Sequence, residues 1–291
     1  MTQLYEAGGD PGGHGLQARL FELGLLVSDM DRSRAFYEAA LGYRFQPHGH
    51  GAIGVARDRR LYLGVSDTGQ KGFSHAAFAV ADADEMDRLR ARLDGAAVVH
   101  DEIDHPGFGG HAVGFADPDG NRLIFGVPSV HTVVADTTAL TARLQHVVFA
   151  SRDIAAMLAF YRDVVGFGLS DCVENDDGEL TTFFVHCSHE HHSLAVFRAS
   201  ECRLDHHCFE AGDWGLIRDW ADHFAALHIP LQWGPGRHGP GNNLFLFIHD
   251  PDGHWLEISA ELETLTPDRK VGVWPHAERT LNSWGMALLR K

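Results

Sequence analysis

Long apolar runs are missing from this chain. The uninterrupted ones are short, such as Leu244–Ile248, far below the roughly 18 residues that a membrane span needs. A block of Lys or Arg is missing too. There are 24 basic residues against 40 acidic ones, a formal charge of −16, and such a surface repels phosphate backbones and anionic membranes. Neither nucleic acid nor a membrane is expected as a partner. Cysteine is scarce: Cys172, Cys187, Cys202 and Cys208 have no Cys-x-x-Cys spacing, which argues for reduced thiols and against a zinc knuckle. The N-terminal stretch Met1 to Gly15 is Gly-rich and lacks a basic-then-apolar pattern, so a cytoplasmic protein is expected.

What the chain has in excess is histidine, 21 residues in 291. Imidazole is the commonest protein metal ligand, so the excess favours a metal site without locating it. The length itself is about two domains' worth.

The chain repeats itself, and repeats decide a fold before anything else does. Leu23-Gly-Leu-Leu-Val-Ser-Asp precedes Ala35-Phe-Tyr and Leu41-Gly-Tyr, while His146-Val-Val-Phe-Ala-Ser-Arg-Asp precedes Ala159-Phe-Tyr and Val165-Gly-Phe. Ser74-His-Ala-Ala-Phe matches Asp205-His-His-Cys-Phe, and Asp117-Pro-Asp-Gly-Asn recurs as Asp250-Pro-Asp-Gly-His. Each unit reads as a short alternating strand (Phe21–Val27, Leu144–Ala150) and an Asp cap. A helix follows (Asp31–Ala40, Asp153–Val164), stopped by Gly42 or Gly166. Further strands follow at Ala52–Ala56, Leu61–Val65, Thr181–His186 and Ser193–Arg198. A second round begins at Ser74–Val80 or Leu204–Glu210 and carries the helices Ala83–Leu93 and Trp214–Leu227.

Four βαβββ modules result, at about 18–66, 72–128, 143–199 and 203–261. One such module exposes an apolar sheet face that only a partner can cover. The expected fold class is therefore α+β, with two domains, each of two paired modules whose curved mixed sheets enclose a cavity. The domains run 16–128 and 143–261, joined by a linker at 129–142. A tail, 262–291, with Trp274 and Trp284, wraps back onto a domain or a partner subunit. That tail and an exposed sheet edge favour a homo-oligomer.

Three matched strand positions differ between the halves: Gly24, His75 and Phe125 in the first, His146, His206 and Glu257 in the second. A carboxylate inside Trp255-Leu-Glu-Ile is costly unless paired or bound to metal. Two imidazoles and one carboxylate are the facial triad that leaves open positions on non-haem Fe(II), and zinc also uses two histidines and a glutamate.

With these motifs the chain resembles the type I extradiol ring-cleavage dioxygenases of the vicinal oxygen chelate (glyoxalase/bleomycin-resistance) superfamily. The resemblance covers roughly 16–261 and is most specific over Gly236–Glu257. It implies a C-terminal domain that holds Fe(II), occasionally Mn(II), with O2 as co-substrate and a small aromatic diol as substrate. It implies an N-terminal domain that has lost its metal ligands. By resemblance the ligands are His146, His206 and Glu257, and the Leu-x-His-x-x-Phe frame shared with Leu144–Phe149 selects His206 over His207. The acid–base histidine falls on His192, with His191 as competitor and, by strand alternation, as a solvent-facing neighbour. A substrate-side histidine falls on His238. One departure is Phe247, where the family carries a tyrosine. Nearby His249 is a candidate to replace that hydroxyl, although alternation is expected to turn it from Phe247's side. Phe183, Phe184, Trp233, Phe245 and Phe247 offer aromatic surface for a planar ring, and Arg237 and Arg198 are candidates for an anionic substituent. The alternatives are a non-oxidative metal-dependent isomerase or hydrolase of the same superfamily, argued by Phe247, and a ligand-sequestering binding protein, against which the intact triad speaks.

Overall fold

A computed structural model of the chain describes residues 15–66, 68–129 and 140–288. Two mixed sheets organise it. The first holds β1 (Ala18–Leu26), β2 (Arg44–His48), β3 (Gly51–Ala56), β4 (Arg59–Gly64), β5 (Gly72–Val80), β6 (His100–Asp104), β7 (His111–Ala116) and β8 (Arg122–Gly126), in the order β2-β3-β4-β1-β5-β8-β7-β6. The second holds β9 (Arg143–Ser151), β10 (Gly168–Glu174), β11 (Leu180–His186), β12 (Leu194–Arg198), β13 (Arg203–Gly212), β14 (Trp233–Arg237), β15 (Leu244–His249), β16 (Trp255–Ala260) and β17 (Gly272–Pro275). Its order is β14-β15-β16-β13-β9-β12-β11-β10-β17. The architecture is the expected duplicated α+β one, and in each half the paired first strands of two modules, β1 with β5 and β9 with β13, lie at the centre of the sheet.

The repeated signals do the local work assigned to them. Asp29 caps α1 (Met30–Leu41) by accepting from Arg32 N, and Gly42 ends it at φ 74° with its N–H on Glu38. Asp153 caps α3 (Ile154–Ala159) in the same way, but the next turn differs from the expected plain helix. Phe160–Val165 is π-helical, and the N–H groups of both Gly166 and Phe167 bond to Tyr161 O before Gly166 closes it at φ 92°. The second round carries α2 (Ala83–Gly95) in the first half and α4 (Trp214–Ala226) in the second.

One apolar core runs through both halves, with Phe73 against Phe149 and Tyr43 against Phe209. The two Phe-Tyr repeats reach across it. Tyr37 OH donates to Asp250 Oδ2 at 3.0 Å, and Tyr161 OH donates to Asp117 Oδ2 at 2.7 Å. Each helix tyrosine is thus fastened to the Asp-Pro-Asp-Gly turn of the opposite half, and burial beside the carboxylate pushes both phenols well above their ordinary pKa.

Most of the expected linker, 130–139, lies outside the described residues. The tail folds onto its own second sheet, where β17 pairs in parallel with β10, and α5 (Glu278–Leu281) follows. Among the described residues no helix is long and apolar enough to cross a membrane, and all four cysteines are free.

Candidate metal centre

Three neighbouring strands of the second sheet build the site. His146 on β9 is paired with Cys208 on β13, and Cys208 is paired with Glu257 on β16. His206 lies two residues before Cys208, on the same face by strand alternation. His146 Nε2 and His206 Nε2 stand 3.3 Å and 3.2 Å from Glu257 Oε2, all three side chains being almost fully buried. Cis ligands about 2.1–2.2 Å from one ion stand about 3 Å apart, so the spacing fits a single metal.

The surrounding groups fit a metal as well. Asp205 Oδ1 accepts from His206 Nδ1 at 2.7 Å, which turns the Nε2 lone pair inward. Asn243 Nδ2 donates to Glu257 Oε1 at 3.1 Å and leaves Oε2 for the centre. Burial pushes the His146 pKa down, toward the neutral form that ligates. Burial alone would raise the Glu257 carboxyl, but the surrounding imidazoles of His146, His206 and His238 hold it well below the usual range. Neither Asp205 nor Asn243 was singled out from sequence. Asp205 had a signal, an acid directly before a candidate ligand, whereas Asn243 sits in a loop whose path depends on the tertiary fold.

A cavity of about 450 Å³ opens on the triad, and every residue lining it belongs to the second half or the tail. His192 lines it, its ring 4.2 Å from that of His146; burial and the nearby His146 hold its pKa well below the ordinary value. His238 lines it too, donating from Nδ1 to Leu281 O at 2.5 Å, with Nε2 3.7 Å from Glu257 Oε1. Phe184, Phe247 and Trp233 form aromatic wall, with Trp233 stacked on Phe247 at 5.2 Å. Arg198 reaches the cavity while paired with Glu179. Glu278, Thr280 and Leu281 of the tail close one side.

Several expected positions are corrected. Arg237 does not line the cavity: its guanidinium bonds Glu261 at 2.7 Å and Asn242 O, and lies over Trp284. His249 is two residues from Phe247 and so shares its side, contrary to expectation, but it packs edge-on against Trp255 at 4.3 Å and is not part of the cavity wall. Phe183 and Phe245 are buried in the sheet without lining the cavity. His191 is not solvent-facing but fully buried beside Asp171. His207 lies away from the triad, 3.2 Å from Tyr37 OH.

The first half's counterparts were misplaced as well. Glu22 pairs with Ala77, and Ala77 with Ile124, in the rung that matches His146, Cys208 and Glu257. Gly24 is no lost ligand, because a Cβ there would collide with the His75 imidazole. Phe125 is core, stacked on Phe78 at 5.0 Å. Glu22 Oε1 instead takes His75 Nε2 at 2.9 Å and His105 Nε2 at 3.1 Å, while Arg60 Nε stands 2.8 Å from Oε2. Burial would raise the Glu22 carboxyl, but the hydrogen bonds from His105 and His75 hold it well below its usual value. His105 Nδ1 accepts from Gly107 N at 3.1 Å, so its proton sits on Nε2, facing Glu22. His105 thus presents a proton, not a lone pair, to Glu22.

The family model of the Glyoxalase/Bleomycin resistance protein/Dioxygenase superfamily matches residues 19–125 and again 143–258. The chain belongs to that superfamily. Within it, the chain is 28% identical over 259 residues to metapyrocatechase 2 of Cupriavidus necator, covering 79% of this chain and 77% of that protein. It is 26% identical over 290 residues to biphenyl-2,3-diol 1,2-dioxygenase of Paraburkholderia xenovorans, covering 92% and 94%. The fold of this superfamily member is similar to that of homoprotocatechuate 2,3-dioxygenase from Brevibacterium fuscum in its anaerobic complex with 3,4-dihydroxyphenylacetate. The TM-score is 0.84 at 23% identity, over 97% of this chain and 93% of that one.

Proposed function

We propose that the chain is an Fe(II)-dependent extradiol dioxygenase that cleaves a catechol-type diol beside its hydroxyls, both atoms of O2 entering a hydroxymuconic semialdehyde-type product. The observation that carries this is the convergence of His146, His206 and Glu257 on one side of an aromatic-walled cavity. That site lies in a chain whose relatives include proteins named biphenyl-2,3-diol 1,2-dioxygenase and 3-methylcatechol 2,3-dioxygenase. Iron, when bound, supplies Lewis acidity and passes electrons between diol and O2. His146, His206 and Glu257 would hold the ion at the wall of the cavity that the diol enters. Mn(II) suits the same donor set.

The protein's own part is positioning and proton handling. Phe184, Phe247 and Trp233 hold a planar ring and keep water from it. His192 takes a proton from a diol hydroxyl and returns it later. His238, its Nδ1–H spent on Leu281 O, offers Nε2 to the substrate side. Arg198 is placed for an anionic substituent. We read the Glu22–His75–His105 cluster as holding no metal, since Arg60 already supplies the balancing charge. Exposed Trp214, Val273, Trp284 and Met286 support a homo-oligomer.

The test is anaerobic loading with Fe(II), then oxygen uptake and product spectra with a panel of substituted catechols. Stoichiometric uptake with a yellow product is expected. Iron-replete protein that consumes no oxygen with any catechol overturns the reading. Conversion without oxygen uptake would instead establish the non-oxidative alternative, which Phe247 favours by lacking the hydroxyl.

A further inference from the structure

Behind His192 lies a second buried histidine that takes no part in the metal centre. His191 is fully buried, its ring perpendicular to that of His192 and its Nδ1 3.0 Å from His192 Nδ1. On its other side, Nε2 stands 3.0 Å from Asp171 Oδ2, with Glu263 Oε2 farther off at 3.9 Å. Gly241, at φ 70°, backs this ring; a Cβ there would come within 3.0 Å of His191 Nδ1. Asp171 is itself wholly buried and is gripped by the C-terminal segment. Arg269 Nη1 lies 2.7 Å from Oδ1, Gly272 N donates to Oδ1 at 3.0 Å, and Trp274 Nε1 donates to Oδ2 at 2.8 Å.

We propose that Asp171 and His191 are positioning residues that fix the ring orientation and the tautomer of His192. The proposal rests on reading His192 as the proton-handling group of the site. It follows from a chain of donors and acceptors. A carboxylate held by an arginine and two N–H groups can only accept, so His191 keeps its proton on Nε2. Its Nδ1 then offers only a lone pair, and His192 Nδ1 must donate to it. His192 Nε2 is left with a free lone pair in a side chain that lines the cavity. That is the form needed to take a proton from a hydroxyl of a bound diol: the O–H bond breaks and an N–H bond forms, with the electron pair staying on oxygen. The segment from Arg269 to Trp274, remote in sequence from both histidines, is thereby tied to the proton-handling group through one carboxylate.

Asp171→Asn reverses this logic. With Oδ1 held by Arg269 and Gly272, two donors against the one Trp274 Nε1 on Oδ2, the new amide nitrogen falls where Oδ2 was, gives up the Trp274 bond and donates to His191. His191 must then donate from Nδ1, and His192 is left with its proton on Nε2. The full chain, with histidine labelled in heavy nitrogen and the centre loaded with diamagnetic Zn(II), reports each ring's tautomer by proton–nitrogen correlation spectra. Wild type should show His192 as the Nδ1–H tautomer and Asp171→Asn as the Nε2–H tautomer. The iron-loaded variant should lose about 10²-fold in kcat, the lower end of what general acid–base catalysis contributes, with KM and metal content unchanged. Wild type with the proton on His192 Nε2 overturns the proposal, and so does a variant that loses its metal in parallel with activity. If the variant does not fold, the wild-type spectrum alone decides. That spectrum needs neither oxygen nor a diol, so its outcome is separable from failure of the dioxygenase reading.

Discussion

Asp205 offers the sharpest quantitative test of the metal centre, because it touches the metal only through His206. Its Oδ1 accepts from His206 Nδ1 at 2.7 Å, and its side chain is almost fully buried, so the carboxylate both fixes the tautomer and raises the basicity of Nε2. Removing such a partner weakens metal binding by about 10- to 100-fold, or about 1.4–2.7 kcal/mol. The two ends of that range can be assigned. Asp205→Asn keeps an oxygen that can accept from Nδ1 and loses only the charge, so about tenfold is expected. Asp205→Ala loses both and should approach about 100-fold. The assay is anaerobic titration with Mn(II) or Fe(II) against a competing chelator, together with denaturant unfolding with and without metal. At a fixed metal excess, each tenfold loss in affinity should remove about 1.4 kcal/mol of the metal-induced stabilisation, measured against each variant's own metal-free stability. If both variants bind metal as tightly as wild type, Asp205 does not orient His206. If only metal-free stability falls and the metal-induced increment is that of wild type, the carboxylate is structural.

Four further outcomes are expected. His206→Ala should retain no stoichiometric iron, while Glu22→Gln should retain it in full and lose about 3–5 kcal/mol of stability from breaking a buried ion cluster; metal analysis and urea melts read both. Phe247→Tyr should raise kcat/KM about tenfold by adding one hydrogen bond at the cavity wall, and steady-state kinetics showing a loss would count against the placement of the substrate there. Tyr37→Phe and Tyr161→Phe should each cost about 1.5–3 kcal/mol, since each removes a hydrogen bond to a buried carboxylate. The Asp171 carboxyl is raised by burial but held at about 2, against 3.8 ordinarily, by His191 and Arg269. Because its folded value is depressed, its contribution of about 2 kcal/mol is present above about pH 4 and disappears as pH falls toward 2. Unfolding free energies over that range should fall more steeply for wild type than for Asp171→Asn.

The sequence made the repeat, the capping aspartates, the stop glycines and the three polar strand residues that come together legible because each is local: a strand period, a cap or a polar residue in an apolar frame. What escaped it depends on partners far along the chain. Glu22 was passed over for Gly24 because the repeat was aligned by residue likeness, while the hydrogen-bonded rungs count from the Asp29 and Asp153 caps. Asp171 and Asn243 look like ordinary polar residues until strands and tail bring their partners, and His191 reads as a solvent-facing rival of His192 until Asp171 covers it. The strand Gly272–Pro275 has only four residues and owes its form to pairing with β10. The place of Arg237 was missed because a basic residue beside a site motif reads as a substrate contact, and nothing local shows that Glu261 has taken it.

The crossed tyrosine–aspartate bonds give the halves the relationship of subunits in a fused dimer. Each contributes a helix that completes a turn in the other, and the exchange is reciprocal although the cavity at the triad is lined by the second half and the tail. Asp250, the acceptor for Tyr37, opens the turn that leads into the strand bearing Glu257. Tyr37 of the first half thus ties down the turn between β15 and β16, beside the strand that carries one of the candidate ligands. A substitution in the first half can therefore reach a cavity that the first half does not line.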